Sequence, residues 1–243
     1  MYEQNNQSYY IGQEVQGRTL ARTFMAQVFS WMTLAMISTA ITAWWFASSP
    51  SLIGSLINHE TGGLSGLGWI VTLAPIGFVL LMSFGFQRLS PAILILLFIT
   101  FSVLMGISLS FILLVYTMAS VFKTFLVTAG MFGIMAMTGY TTKTDLTKFG
   151  SIMMMGLIGL ILAMLINFFL KSAALEYIVS IIGVLIFTGL TAYDVQRLKK
   201  IGTGAAGLGG ENVRKLSILG ALTLYLDFIN LFLFLLRFMG DRK

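Results

Sequence analysis

Cysteine is absent from the 243 residues. That excludes disulfides, thiol nucleophiles and cysteine-ligated metals, and it leaves the redox compartment unread. Charge is scarce as well: Asp, Glu, Lys and Arg make up 10% of the chain, against about 25% in a soluble domain. So little charge cannot cover a water-facing surface. Histidine occurs once, and His59, next to Glu60, reads as a surface residue of a loop rather than as a metal site. No internal repeat is visible, so the inverted-repeat signature of many secondary transporters is missing. The period-two alternation of a membrane barrel is missing too.

What is present is apolar length. Hydrophobic residues make up 57% of the chain, the mean hydropathy is +0.90, and the apolar residues run in long blocks. A bilayer-spanning helix needs about 20 apolar residues in succession. Seven such spans are expected, over 24–46, 67–86, 91–116, 121–141, 149–170, 175–193 and 216–238. The expected fold is therefore an all-α integral membrane protein with seven transmembrane helices. Residues 1–22 form a polar, mobile tail and 23–243 a single membrane domain. The first apolar block follows that tail and is longer than a signal-peptide core, so no cleaved leader is expected.

The net charge of +6 does not point to nucleic acid, because the bases sit at the ends of apolar blocks, where they orient helices. One side of the bilayer collects ten of them: Arg18, Arg22, Arg88, Lys143, Lys148, Arg197, Lys199, Lys200, Arg214 and Lys215. The other collects five: Lys123, Lys171, Arg237, Arg242 and Lys243. The positive-inside rule then places the N-terminus in the cytoplasm and the C-terminus outside.

Within the spans, Asp227 stands apart. It lies about 16 Å along the last helix from Leu216, and a carboxylate at that depth marks an ion path, a proton relay or a paired charge. Gly220, Thr223, Asn230 and Arg237 fall with it in a sector of roughly 100° on the same helix. Such a polar stripe must face protein or water rather than lipid, which suits a central helix lining a pathway. Asp194 closes the sixth span in Thr-Ala-Tyr-Asp, ahead of Arg197, Lys199 and Lys200. By itself it also reads as an interfacial acid pairing with those bases. Helix counting leaves several ångströms of depth between Asp194 and Asp227, a gap that tilt or a longer sixth helix would close. Two carboxyls in contact share one proton and repel when it leaves. Their doubly ionised form offers a transient contact for a hard cation such as Ca²⁺. Arg88, at the end of the second span, is the expected counter-charge on the same side, unless it only anchors that helix.

Other patterns carry less. Gly202, Gly204 and Gly207 match the dinucleotide fingerprint G-x-G-x-x-G, but a helix and a basic cluster precede them instead of a strand, so they read as a flexible loop. The 15 methionines read as packing residues on apolar helices.

The runs Thr-Gly-Tyr-Thr-Thr-Lys-Thr-Asp-Leu (138–146), Thr-Ala-Tyr-Asp-Val-Gln (191–196) and Leu-Thr-Leu-Tyr-Leu-Asp-Phe-Ile-Asn-Leu-Phe (222–232), with Ala-Gln-Val-Phe-Ser-Trp-Met near the first span, closely resemble the Bax inhibitor-1 family. The likeness covers everything after the polar tail and is nearest to the bacterial inner-membrane branch. It implies a last helix wrapped by the other six and a di-aspartyl pH sensor at Asp194 and Asp227. It also implies that Arg88 pairs with the sensor and that Arg237 closes the outer end. The implied activity is a pH-sensitive calcium leak, linked in animals to suppression of cell death. Calcium is then the permeant ion and the proton the regulator, with no cofactor and no catalysis. Where some relatives carry an acid in the second span, this chain has Ala74-Pro75-Ile76-Gly77. Proton-coupled cation exchange and a non-transporting role, regulating a membrane protease or a cell-death partner, remain the other readings. An aspartyl protease is disfavoured, because Leu-Tyr-Leu-Asp stands where its second aspartate needs Gly-x-Gly-Asp.

Overall fold

A computed structural model describes residues 2–58 and 63–243, with side chains described from Gly17 onward except that of Ala206. The His59–Glu60 pair lies outside the described residues. Among the described residues eight α-helices follow one another: α1 (Tyr2–Ala47), α2 (Pro50–Leu56), α3 (Gly66–Gly85), α4 (Pro91–Val115), α5 (Met118–Thr141), α6 (Thr147–Leu170), α7 (Ala173–Thr203) and α8 (Gly210–Met239). Seven of them are long and apolar enough to cross a bilayer, α2 being the short exception. The protein is an all-α, seven-span membrane protein.

Local chemistry fixes where several spans begin. Ser65, Ser90, Thr117 and Ser172 each accept a backbone N–H from the first turn of α3, α4, α5 and α7, satisfying one of the donors that every helix start leaves over. Pro91 follows its cap at the first helical position of α4, where its missing N–H costs nothing.

Three boundaries differ from the sequence reading by more than four residues, and all three helices are longer; the last begins at Gly210 rather than at Leu216. The helix of the first span runs back to Tyr2, and close packing is already present at Gly17, ahead of the apolar edge near Phe24. Ala21 and Phe24 are buried against the bare face of Gly202 on α7. Small residues let those two backbones approach, so Gly17–Arg22 belongs to the folded unit. The sixth span does not stop at Tyr193; α7 continues to Thr203, because its polar residues find partners in the α5–α6 loop.

The last helix is the centre: 72% of its most apolar window is buried, against 6% for α6. It packs directly on α1, α4, α5 and α7, whereas α3 lies mainly on α4 and α6 on α7. Four helices thus form the close ring, and α3 and α6 complete the surround as an outer layer that stands off from α8.

Tyr225 ties this ring together. Its ring meets Phe98 and Phe101 of α4 edge-on, with centroids 6.2 and 5.3 Å away. Thr39 of α1 donates to the Ser102 carbonyl at 2.8 Å, so the Tyr225 hydroxyl, 2.7 Å from Thr39 Oγ1, must donate to it. Tyr225→Phe removes one neutral hydrogen bond and leaves the Thr39–Ser102 bond standing. Thermal unfolding in detergent is expected to show a loss of about 1 kcal/mol.

Candidate functional site

The α5–α6 loop holds α7 in place. Gln196 accepts the Leu146 N–H at 2.8 Å and donates to the Thr144 carbonyl at 2.7 Å, so its amide binds both polarities of one loop. Lys199 donates to the Tyr140 carbonyl at 2.7 Å and lies 4.8 Å from the centre of that ring. Lys200 pairs with Asp145 at 2.8 Å. That lysine, with the hydroxyl and N–H of Thr147, holds the Asp145 carboxyl well below the usual carboxylate range. The motifs at 138–146 and 191–196 are therefore two halves of one clip.

Gly139 of α5 and Gly150 of α6 position the segment just before Asp194. A methyl at Gly139 would run into the Ala192 carbonyl, and one at Gly150 into the Tyr193 ring. With α7 seated this closely and continuing past Tyr193, Asp194 reaches α8. The two carboxyl groups interact directly, with Asp194 8% and Asp227 5% exposed. The longer sixth helix closes the gap that sequence counting leaves.

The Oδ2 of Asp227 is buried and meets no donor from the protein. A contact between two carboxyls is satisfied only when a proton lies between them. Among the described residues no third acidic, histidine or cysteine ligand joins the pair. A hard cation would find a point of contact there rather than a cage of six to eight oxygens.

Arg88 does not supply the counter-charge. It lies exposed in the turn after α3, its N–H bonded to the Gly85 carbonyl at 2.9 Å, and it lines neither cleft at the aspartates. Arg197, three residues beyond Asp194 on α7, acts electrostatically on that carboxyl instead. The sequence offers this pairing as the alternative to Arg88, since Asp194 and Arg197 stand at i,i+3 spacing.

Two clefts meet at Asp194, in the spaces where α3 and α6 stand off from α8. One, of about 280 Å³, runs from Ile201 and Leu216 past Ser83 of α3 to Asp194, Arg197 and Thr223. The other, of about 690 Å³, continues from Asp194, Asp227 and Thr223 past Asn230 and the α6 methionines Met154 and Met164 to Phe234. Arg197, Asp194, Thr223 and Leu226 line both. Thr223 and Asn230 donate back to their own helix, to the Leu219 and Leu226 carbonyls, which leaves oxygen acceptors for the clefts.

Phe234 ends the larger cleft. It stacks on Phe187 at 5.8 Å and fills the space that a side chain at Gly183 would take. Arg237 lies exposed beyond it, its guanidinium 5.7 Å from the Phe234 ring centre. An apolar stack of this kind can bar a path by excluding water. Nothing in the sequence singles out Phe187 and Phe234 among 20 phenylalanines.

Comparison with known proteins gives a match over residues 21–243 to the family described as inhibitor of apoptosis-promoting Bax1. The chain is 49% identical over 229 residues to the inner membrane protein YbhL of Escherichia coli K12, covering 94% of this chain and 96% of that one. An uncharacterized protein of Rickettsia prowazekii is 41% identical over 223 residues, 91% of each chain. One of Borreliella burgdorferi is 38% identical over 231 residues, 95% of this chain and 97% of its own.

Proposed function

Because the chain belongs to the Bax inhibitor-1 family, we propose that it is a pH-sensitive, calcium-permeable leak whose gate is the Asp194–Asp227 pair. The observation that carries this reading is the placement of two interacting buried carboxyls in one cleft along the central helix, with a second cleft joining it at Asp194. The smaller cleft leads from the basic end of the bundle, the larger toward the Phe187–Phe234 stack. By the positive-inside bias the basic end is cytoplasmic, and the C-terminus is outside. The printed name of the Escherichia coli relative supports a bacterial inner-membrane location.

The gate follows from the carboxyl contact. With one shared proton the two groups attract and hold α7 to α8 between the clefts. Losing that proton on raising the pH replaces attraction with repulsion, partly offset by Arg197 beside Asp194. The two protonation states therefore favour different arrangements of the helices. Oxygen from both aspartates, Thr223 and Asn230 suits a permeating hard cation, with calcium as cargo and the proton as regulator. No bond is made or broken, and the reading assigns no catalysis. Proton-coupled exchange differs in requiring a fixed number of protons per calcium ion.

Calcium flux into dye-loaded liposomes, measured from pH 6 to pH 8, tests the proposal. Asp145→Asn supplies the matched control. The Asp145 carboxyl is held below its ordinary range, so its contribution to stability exists above the unfolded-state value of about 3.8. That contribution is lost only as pH falls through the still lower folded value. Asp145 thus stays ionised throughout the assay, and Asp145→Asn should leave the pH profile unchanged. A shifted midpoint would mean that the sensor had been assigned to the wrong carboxyls.

A further inference from the structure

On the far side of α8 from its polar stripe lies a second kind of space. The helix α1 packs on α4, α7 and α8, and α5 on α7 and α8, but α1 and α5 do not pack closely on each other. The seam between them leaves a cleft of about 320 Å³. Its floor is Phe228, Ile229 and Phe232 of α8, and its walls include the small Ala40 of α1 and the large Phe122 of α5. Asp227 and Phe228 are adjacent, so α8 separates the aspartate clefts from this one.

We propose that this cleft is a binding site for one acyl chain of a membrane lipid. Its lining is almost entirely hydrocarbon. Thr39, the polar exception, already bonds the Ser102 carbonyl and the Tyr225 hydroxyl, so it leaves a guest little to satisfy. Water would have too few partners there, and an empty space would forfeit the dispersion contacts of three large α8 side chains. The rim decides what enters. Trp44 and Phe122 are 61% and 65% exposed and continue into the apolar surface formed by Ile37, Ile41 and Leu126. That surface faces the bilayer, so the cleft opens sideways into hydrocarbon and not toward water.

The dimensions favour a single flexible chain. The volume sits at the lower end of the roughly 300–1,000 Å³ of ligand sites, and the walls offer few polar groups to orient a ring system. Leu113 and Met118 place one end of the cleft at the α4–α5 connection, on the C-terminal side of the bundle. The chain therefore comes from the leaflet on that side. This site does not depend on the proposed calcium leak, although its occupant would press α8 from behind Asp227.

The full chain, reconstituted in liposomes containing phosphatidylcholine with a diazirine in mid-acyl position, provides the test. After irradiation, peptide mapping should find adducts on Phe228, Ile229 or Phe232, which are only 4%, 5% and 8% exposed. Bulk lipid should label exposed positions such as Ile158 on α6. Ala40→Trp fills the cleft and should lose the α8 adducts while keeping those at Ile158. Ala40→Leu, which fills less, is the companion variant should the larger ring impair folding. Absence of α8 adducts in the wild-type chain would overturn the site, as would α8 adducts undiminished in a folded cleft-filling variant.

Discussion

In Asp227→Asn, calcium flux at pH 6 and at pH 8 should coincide. Asparagine keeps the shape of the side chain and can still bond Asp194, but it neither ionises nor shares a proton. Two ionised carboxyls in contact repel by at most about 4 kcal/mol at an effective dielectric of about 20, Arg197 offsets part of this, and the substitution removes the remaining pH-dependent bias. A bias of a few kcal/mol moves a two-state equilibrium by about tenfold to a thousandfold, so the wild-type contrast should be large and its loss easy to read. The variant should fold, since it replaces a buried carboxyl that has an oxygen without a protein donor. A pH profile preserved in Asp227→Asn would take the sensor away from this pair.

Gly139→Ala should sharply lower the melting temperature and the yield of monodisperse protein. The added methyl would meet the backbone of Ala192, and neither helix backbone can turn aside as a flexible side chain does. Inserting a methylene into a well-packed core costs about 1–3 kcal/mol even where side chains can adjust. Here α5 and α7 must separate, which also pulls Gln196 from the loop that it holds. Gly133, on the same helix, has nothing within 4 Å of an added Cβ. Gly133→Ala should match or exceed the wild-type melting temperature, because alanine is the better helix former by about 1 kcal/mol. Equal melting of the two variants would show that the α5–α7 approach is not a structural constraint.

The number and order of the spans are legible in the sequence because bilayer thickness imposes a run length that little else imitates. The polar face of α8 is legible for a related reason: Thr223, Asp227 and Asn230 at helical spacing cannot all face lipid. What the sequence hides is where hydropathy and helix part company. Residues 194–203 look like the end of a span because Gln196, Arg197, Lys199 and Lys200 are polar, yet Gln196 and Lys200 bind the α5–α6 loop, Lys199 binds the end of α5, and the helix continues. That continuation makes the aspartate contact and puts Arg197, rather than Arg88, beside Asp194. The aromatic stack at Phe234 is equally hidden, since its partners are set by packing between helices and not by spacing within one. The close ring of four helices follows the same rule: α3 and α6 are as apolar as the rest, and only tertiary contacts reveal that they stand off.

The most direct test of the central claim uses purified protein in liposomes loaded with a calcium-sensitive dye. Influx is followed from pH 6 to pH 8 for the wild-type chain and for the variant carrying both Asp194→Asn and Asp227→Asn. A wild-type flux that varies with pH, and that loses this variation in the double variant, is the expected result. Wild-type flux no greater than that of empty liposomes would contradict the leak and favour a non-transporting role with a membrane partner.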